Sequence, residues 1–240
     1  MPGAWLILPT YNEAENVGPM LRAARAQLRD GDHILVVDDN SPDGTGAIAD
    51  ELAQELLNVD VLHRPGKQGL GRAYLAGFAH ALAAGADYVL EMDSDFSHDP
   101  SDLPRLIEEA EDGADLVLGS RYVTGGSVTD WGLLRRLLSR GGSWYARVVL
   151  GVQVRDLTGG FKCFRRSVLE ALDLNTVHAD GYGFQIELTY RTIQAGFRVV
   201  EVPIVFRDRR VGQSKMNARI ALEAVWKVPA LRRRGNANLS

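Results

Sequence analysis

Short apolar runs alternate with helix-like segments along the first 120 residues, and this order constrains the fold more than any other feature. The apolar runs indicate buried strands because they are short, continuous and bounded by turn-forming residues. They lie at 5–8, 33–37, 59–63, 88–92 and 116–118. Segments with helical periodicity lie between them, near 15–28, 45–56, 70–84 and 101–111. This βαβα order predicts an α/β fold with a doubly wound, mainly parallel sheet.

The second half of the chain has a different pattern. After residue 120 the alternation stops, and Arg-rich amphipathic segments follow. A chain of 240 residues suits one large domain with a full core. We therefore expect a single domain over 1–240, with one part at 1–122 and a second at 123–240.

Charge divides the chain at about the same place. Residues 1–130 carry 8 Lys or Arg and 23 Asp or Glu, whereas residues 131–240 carry 19 and 8. Such asymmetry predicts that the second half faces something anionic, either phosphates or a membrane surface. The acidic first half argues against nucleic acid as a partner. Simple compositional drift stays open as the alternative.

Cysteine usage and hydropathy predict a cytoplasmic location. Cys163 is the only cysteine, so no disulfide framework is expected. The first residues lack the basic region of a signal peptide, and Pro9 interrupts their apolar run. No stretch approaches the roughly 18 apolar residues that a membrane span needs.

Polar or glycine-rich loops follow each of the five predicted strands. They lie at 9–13, 38–45, 64–74, 93–95 and 119–122. The carboxyl ends of parallel strands meet at one edge of a sheet, where open α/β sheets bind ligands. The loops therefore predict a nucleotide pocket. Neither a GxGxxG after the first strand nor a GxxxxGK[ST] occurs, which excludes a dinucleotide site and a P-loop.

The acidic pair Asp93 and Asp95 directly follows the fourth strand. Alternation along an extended chain sends both carboxylates to the same side, so both can reach one hard cation. A divalent metal held in this way keeps open positions for the phosphates of a substrate. Two solvated acids in a turn are the alternative.

These motifs resemble those of family 2 glycosyltransferases, and within them the polyprenol (dolichol) monophosphate mannose synthases. The matching stretches are 9–13, 36–45, 66–74, 92–100, 119–122, 156–164, 181–187 and 201–216. The most specific of them are DLTGGFK at 156–162 and GQSK at 212–215, together with Asp208 and Arg209.

The resemblance implies a glycosyltransferase-A-like fold with appended amphipathic interfacial helices. It also implies inverting transfer of mannose from GDP-mannose to a polyprenyl (dolichyl) monophosphate. In that case 1–122 binds the nucleotide sugar, and 123–240 binds the acceptor and faces the membrane. The expected location is peripheral, on the cytoplasmic face of the membrane. Whether a separate membrane subunit takes part stays open.

The resemblance also assigns the donor site. Pro9, Tyr11, Glu13, Val37 and Asp39 would line the guanosine site, a role that suits carboxylates as acceptors of hydrogen bonds from hydroxyl or amide groups.

The metal site follows from the same comparison. Asp93 and Asp95, with Ser94 between them, would bind the diphosphate through Mg²⁺ or Mn²⁺. Ser97 stands where some relatives have a glutamine, which makes its hydroxyl the candidate third ligand. His98 is expected to be a loop histidine rather than a ligand.

The expected acceptor determines which catalytic groups are needed. A phosphate monoester is already an anion at neutral pH, so it needs cations rather than a general base. By position in the motifs, Arg121 and Arg135 would hold the acceptor phosphate. Arg209 and Lys215 would neutralise the departing GDP beside the metal held by Asp95.

Alternative roles stay open for three of the charged side chains in the second half. Arg121 could be a structural ion-pair partner, and Arg135 a solvated helix residue. Glu187 could orient an arginine or the sugar, or be purely structural.

Residues 131–152 predict a basic interfacial helix on anionic lipid. Arg136, Arg140 and Arg147 lie on one side of it, and a Leu231–Arg234 tail adds a second basic patch beside Trp226. Gly141-Gly142 indicates two short helices instead of one. The rival interpretation is a helix packed on its own domain. The predicted apolar stripe consists of Leu134, Leu137, Leu138, Tyr145, Val148, Val149 and Val152.

Two other functions fit the same sequence. One is an enzyme of the same fold with another donor or acceptor, such as UDP-glucose or a glycan hydroxyl. A hydroxyl acceptor would need a carboxylate base near the acidic pair, and the second half has few acids. The other is a catalytically silent nucleotide-binding subunit of a membrane assembly.

Overall fold

The computed structural model describes residues 3–177, 179, 181–208 and 228–233. A seven-stranded sheet in the order β3-β2-β1-β4-β7-β5-β8 forms its centre. The first five strands in the chain are β1 (Ala4–Thr10), β2 (His33–Asp38), β3 (Val59–His63), β4 (Tyr88–Glu91) and β5 (Leu116–Ser120). Each lies within a few residues of a predicted strand, and the α/β class with a mainly parallel sheet is confirmed.

Four helices connect these strands, as the periodicity predicts. They are α1 (Ala14–Arg25), α2 (Thr45–Glu55), α3 (Leu70–Ala83) and α4 (Leu103–Glu111). Helix α3 packs unusually close to the sheet at Gly77, where an added Cβ would lie 2.4 Å from Ile7 Cγ2. Only glycine allows that approach, because any larger side chain would have to displace β1 or α3.

The second half returns to the sheet, and the expectation that only amphipathic segments follow residue 120 is wrong. Strand β7 (Lys162–Arg165) lies antiparallel between β4 and β5, and β8 (Val199–Pro203) lies parallel beside β5. The sequence did not indicate β7 because this strand begins with the charged Lys162. The side chain of Lys162 is nevertheless fully buried. Helices α6 (Arg166–Ala171) and α7 (Tyr182–Gln194) lie between β7 and β8 in the chain.

A short two-stranded parallel sheet, β6 (Ser127–Val128) with β9 (Val205–Phe206), accompanies the main sheet. Between β6 and β7 the chain forms α5 (Leu133–Leu150), a single helix of 18 residues. The expected division at Gly141-Gly142 is therefore wrong. Two glycines cost a helix about 1 kcal/mol each, which is less than one face packed on a core can supply. Within the described part of the chain, no helix has the length and apolarity to cross a membrane.

The core consists of one apolar layer on each face of the sheet. Alternate residues of β1 serve the two layers, as the pleat requires. Ile7 packs with Tyr74 and Phe78 of α3, whereas Leu6 packs with Met20 of α1 on the other face. Buried residues of α5 and α7 complete the first layer, and α4 completes the second.

Candidate active site

A cavity of about 520 Å³ opens at the carboxyl edge of the sheet. Ten of the eleven predicted site residues in the described part of the chain line it. They are Pro9, Tyr11, Glu13, Asp39, Asp93, Ser94, Asp95, Ser97, Arg121 and Arg135. The structure thus brings the loops after β1, β2, β4 and β5 together with the start of α5.

Val37 is the exception among the predicted donor-site residues. Its side chain is fully buried in the core, where an added Cβ at Gly77 would lie 3.3 Å from its Cγ2. Successive residues of β2 alternate between the two faces of the sheet, and the side chain of Val37 leaves from the face that α3 covers. Asp39 lies just beyond the end of β2, so its side chain reaches the cavity although that of Val37 does not. Arg209, Lys215, Trp226 and Arg234 lie outside the described residues.

Asp39 is held at the cavity by the loop after β3. Its carboxylate accepts from Arg64 Nη1 at 2.5 Å and from the backbone N–H of Gln68 at 3.4 Å. Burial raises the pKa of Asp39, and the charge of Arg64 opposes that rise. In the same loop, Lys67 Nζ lies 4.2 Å from the centre of the Tyr11 ring. Arg64 and Lys67 were not predicted, although the sequence placed their loop at this edge.

The acidic loop after β4 is fixed by short-range hydrogen bonds. Asp95 is buried, and its Oδ1 accepts from the backbone N–H of Ser97 at 3.0 Å and from Ser97 Oγ at 2.5 Å. Ser94 Oγ donates to the carbonyl of Pro9 at 3.2 Å, which ties this loop to β1. Asp93 is more accessible, and Tyr74 Oη donates to it at 3.4 Å.

The donor set of this loop suits a hard divalent cation. Asp93 and Asp95 both line the same cavity and supply carboxylate oxygens, the ligands that Mg²⁺ and Mn²⁺ prefer. No group of three or more His, Cys, Asp or Glu side chains with metal-binding geometry occurs among the described residues. A site with two protein carboxylates leaves positions for water and for phosphate oxygens, which is how Mg²⁺ usually binds beside a nucleotide.

His98 contacts the acidic loop through its buried ring. Its ring is buried between Phe161 and Phe206, with ring centres 5.1 and 5.2 Å away. Burial lowers the pKa of His98 to about 4, so the ring is neutral at physiological pH. Nδ1 accepts from the backbone N–H of Asp93 at 3.5 Å. His98 also lines the cavity, and its expected role as a loop residue rather than a ligand stays a prediction.

Arg121 follows β5, which β7 separates from β4 in the sheet, and its side chain forms a buried ion pair. Its Nε and Nη2 donate to the two carboxylate oxygens of Asp156 at 2.7 and 2.6 Å, and Nη2 also donates to Thr158 at 2.8 Å. Burial alone would raise the pKa of Asp156, but the charge and hydrogen bonds of Arg121 lower it. Arg121 is therefore a structural ion-pair partner, and it also lines the cavity.

Arg135 lines the same cavity from the first turn of α5. It donates to both carboxylate oxygens of Asp208, at 2.9 and 3.1 Å, and its guanidinium lies 4.1 Å from the centre of the Trp131 ring. Both members of this pair are more than one-third exposed. The ion pair and the aromatic contact hold Arg135 at the cavity, which it lines, and its predicted contact with an acceptor phosphate stays a prediction.

Glu187 forms an ion pair with an arginine of its own helix. It is buried on α7, and Arg191, one helical turn later, donates to it at 2.5 Å. The neighbouring Gln185 was not singled out by the sequence, yet it lines the cavity. Its side-chain oxygen accepts a hydrogen bond from Lys162 on β7, and its side chain also lies near Glu91 on β4. Both of these charged residues are fully buried.

Helix α5 has a buried face and an exposed apolar face. Ser143, Ala146 and Leu150 are buried, and Tyr145 and Val149 pack against the core. Five other apolar side chains are 55–74% exposed: Leu133, Leu137, Leu138, Trp144 and Val148. The predicted stripe was therefore misplaced in part, because Val152 is buried whereas Leu133 and Trp144 are exposed. Arg136 and Arg140 are exposed beside this surface.

Known proteins with similar sequences were found over nearly the whole chain. The family described as "Glycosyl transferase family 2" matches residues 5–173. A polyprenol monophosphomannose synthase of Mycolicibacterium smegmatis is 50% identical over 93% of this chain and 84% of its own length. An undecaprenyl-phosphate mannosyltransferase of Micrococcus luteus is 48% identical over 92% of this chain and 90% of its own length.

Solved structures with the same fold were also found. A glucosyl-3-phosphoglycerate synthase of Mycobacterium tuberculosis, in complex with phosphoglyceric acid, superposes with a TM-score of 0.73 over 97% of this chain and 80% of its own, at 22% identity. The same enzyme with Mn²⁺, uridine diphosphate and glucosyl-3-phosphoglycerate gives a TM-score of 0.72 at the same identity and coverage. These likenesses show the glycosyltransferase-A-like fold. The family match and the sequence relatives establish that the chain belongs to glycosyl transferase family 2 and is a glycosyltransferase.

Proposed function

We propose that this protein transfers mannose from GDP-mannose to a polyprenyl monophosphate, with inversion at the anomeric carbon. The observation that carries the proposal is one cavity that is lined by Asp93 and Asp95 after β4 and by Arg121 after β5 and Arg135 on α5. We call its acidic side the donor end and its arginine side the acceptor end. A nucleotide diphosphate bound through a cation and a phosphate acceptor bound by guanidinium groups would fit these two ends. The names of the two sequence relatives point to the same acceptor class and the same sugar.

The donor would occupy the acidic end. Tyr11, Glu13 and Asp39 would contact the nucleoside, and Pro9 would shape its site. Asp93 and Asp95 would hold Mg²⁺ or Mn²⁺, with Ser97 orienting Asp95 through its hydrogen bond. When bound, the cation would neutralise the diphosphate and so stabilise GDP as a leaving group.

The acceptor phosphate would occupy the arginine end. One of its oxygens would attack the anomeric carbon from the face opposite GDP, forming the new C–O bond as the bond to the diphosphate breaks. A single in-line displacement of this kind inverts the configuration. No proton has to be removed, since the acceptor is already an anion. Arg121 and Arg135 would offset the repulsion between two phosphate groups, and by resemblance Arg209 and Lys215 would do so at the departing GDP.

The positions of the acids favour this acceptor over a sugar hydroxyl. Among the described residues that line the cavity, the carboxylates are Glu13, Asp39, Asp93 and Asp95, all on the loops after β1, β2 and β4. The two acids beside the arginines are each paired with their arginine by two hydrogen bonds, Asp156 with Arg121 and Asp208 with Arg135. A hydroxyl acceptor would need a carboxylate base at the arginine end.

The exposed apolar face of α5 would place this end of the cavity at a membrane. We infer that the protein lies peripherally on the cytoplasmic face, with the five exposed apolar side chains of α5 in the headgroup region. Arg136 and Arg140 would contact anionic lipids. Because Arg135 lies on the first turn of α5, the acceptor phosphate could bind while its lipid tail stays in the bilayer.

One incubation series tests the proposed function. The purified protein is given GDP-mannose or UDP-glucose, Mg²⁺ or Mn²⁺ or excess EDTA, and polyprenyl phosphates of several lengths, and products are identified by mass spectrometry. We expect polyprenyl-phosphate-mannose and GDP only with GDP-mannose and a divalent cation. Transfer from UDP-glucose but not from GDP-mannose would contradict the proposal and indicate another donor. Donor binding without any transfer would also contradict it and indicate a silent subunit.

A further inference from the structure

A buried polar cluster lies beneath the cavity, where β4, β7 and α7 meet. Glu91 and Lys162 are direct partners across the antiparallel β4–β7 pair, so their side chains leave the same face of the sheet. Lys162 Nζ donates to the backbone carbonyl of Gln185 at 2.9 Å and also to Gln185 Oε1. Glu91 and Lys162 are fully buried, and Gln185 is 3% exposed. The ammonium group therefore fixes which end of the Gln185 amide points towards Lys162.

The other end of that amide has no hydrogen-bond partner among the described residues. Gln185 Nε2 is buried and unbonded, as are both carboxylate oxygens of Glu91. Burial raises the pKa of Glu91 to about 7, and Lys162 and the nearby Gln185 amide oppose that rise, yet no hydrogen bond of normal geometry joins the amide to the carboxylate. An unpartnered buried donor costs about 1–3 kcal/mol, which a ligand oxygen could recover.

Gln185 borders the cavity beside Gly160. An added Cβ at Gly160 would lie 3.4 Å from Gln185 Nε2 and 3.9 Å from Asp93 Oδ2, so the space that this glycine leaves adjoins both groups. Two residues earlier, Thr158 accepts a hydrogen bond from Arg121. Gln185 thus lies between the acidic pair and the arginine end. In the proposed function, on which this placement rests, the sugar of the donor must occupy that section.

We propose that the Gln185 amide donates a hydrogen bond to a hydroxyl of the donor's sugar, and that Lys162, with Glu91, positions that amide. A hexose offers several hydroxyl oxygens that can accept from an N–H group. Lys162 is a positioning residue, since it is fully buried and contacts Gln185 rather than the cavity. The pair of opposite charges keeps Lys162 in place, because each charge offsets the cost of burying the other.

A double-mutant cycle between the side chain and the sugar tests the contact. The enzyme and its Gln185→Met variant are assayed with GDP-mannose and with analogues that each lack one sugar hydroxyl. For one analogue we expect kcat/KM of the unmodified enzyme to fall about 10- to 100-fold. Gln185→Met should lose as much with GDP-mannose itself and show no further loss with that analogue. Affinity for GDP, which has no sugar beyond its ribose, should stay unchanged by calorimetry.

The controls separate this contact from general damage to α7. Gln194→Met, in the last turn of the same helix, should behave as the unmodified enzyme. If Gln185→Met shows the full additional loss with every deoxy analogue, the amide contacts no sugar hydroxyl and the proposal is overturned. If the unmodified enzyme uses a different nucleotide sugar, the proposed function fails, and the same cycle with deoxy forms of that donor still decides the role of Gln185.

The positioning role of Lys162 needs a variant that keeps the charges balanced. Lys162→Met alone leaves Glu91 buried without its cation and can fail to fold. The double variant Glu91→Gln, Lys162→Met removes both charges. We expect it to bind GDP normally and to reproduce the lost hydroxyl discrimination of Gln185→Met. Discrimination equal to that of the unmodified enzyme would refute positioning by Lys162.

Discussion

Arg121, at the end of β5, and Arg135, at the start of α5, reach the same end of the cavity from very different surroundings. The side chains of Arg121 and its partner Asp156 are 4% and 0% exposed, whereas those of Arg135 and Asp208 are 39% and 36% exposed. Breaking a buried pair leaves an uncompensated charge and costs about 3–5 kcal/mol, whereas exposed pairs contribute about 0–1 kcal/mol. The two arginines have the same predicted role, but replacing Arg121 should cost far more folding stability than replacing Arg135.

The same difference separates the two ends of the cavity. At the proposed donor end, Asp39 and Asp95 are buried and already hydrogen-bonded by Arg64 and Ser97. At the proposed acceptor end, Arg135 lies on a helix whose outer face is apolar and exposed. In the proposed reaction, a nucleotide sugar enters a preformed site from water, whereas a lipid-linked acceptor binds where the protein contacts the membrane. This contrast predicts that substitutions at the two ends will impair different properties of the protein, among them the transfer rate, the folding stability and the use of the acceptor.

The largest effect is expected at the acidic loop. Asp95→Asn should lower the transfer rate by about 10³-fold, because removal of a charged ligand weakens the cation site that stabilises the leaving diphosphate. The amide can still accept from Ser97, so the unfolding midpoint should change little. Initial rates and thermal unfolding check this, with the exposed Asp112→Asn as a control. Full activity of Asp95→Asn, or full activity in EDTA, would refute a cation-dependent donor end.

Arg121→Ala should destabilise the fold by about 3–5 kcal/mol, since it leaves Asp156 charged and buried. Urea unfolding measures this directly. The double variant Arg121→Met, Asp156→Leu should recover much of the stability but no activity, because it removes both charges and with them the cation at the acceptor end. Unchanged stability of Arg121→Ala would mean that the buried pair does not hold the fold, and the comparison with Arg135 would fail.

Arg135→Ala should impair use of the acceptor without unfolding the protein. Loss of one charged contact to phosphate predicts a rise in the KM for polyprenyl phosphate of about 10-fold or more, with stability within about 1 kcal/mol and GDP-mannose affinity unchanged. Arg136→Ala, the next residue on α5, is the matched control. A loss of donor binding in Arg135→Ala would mean that this arginine serves the other end of the cavity.

The smallest effects are expected on the outer face of α5. Arg136→Gln and Arg140→Gln should each weaken binding to anionic vesicles by about 1 kcal/mol, and added salt should weaken it further. Leu137→Ser and Trp144→Ser should weaken it independently of salt, since they remove apolar area. Co-sedimentation with vesicles checks both, and Leu57→Ser, an exposed leucine just after α2, is the control. Equal losses with Leu57→Ser would exclude α5 as the specific contact.

Local sequence patterns predict most of the first half of the chain. Five strands and four helices could be predicted because a buried parallel strand is a short apolar run and a surface helix repeats every 3.6 residues. Once the strands are parallel, their carboxyl ends share an edge. The order of the elements alone therefore predicts that residues as distant as Tyr11 and Asp95 lie at one site, and both line the cavity.

The remaining features depend on which segments pair across long distances. Lys162 looks like a surface residue until β7 is placed between β4 and β5, where it meets Glu91. Which apolar residues of α5 are buried and which are exposed depends on the side of the helix that packs against the rest of the domain. The sequence by itself determined the order of strands and helices in the first half and the chemistry at the sheet edge, because these follow from neighbours along the chain. Tertiary structure decided which charges are buried and which arginine stays accessible, since burial depends on contacts between residues far apart in sequence.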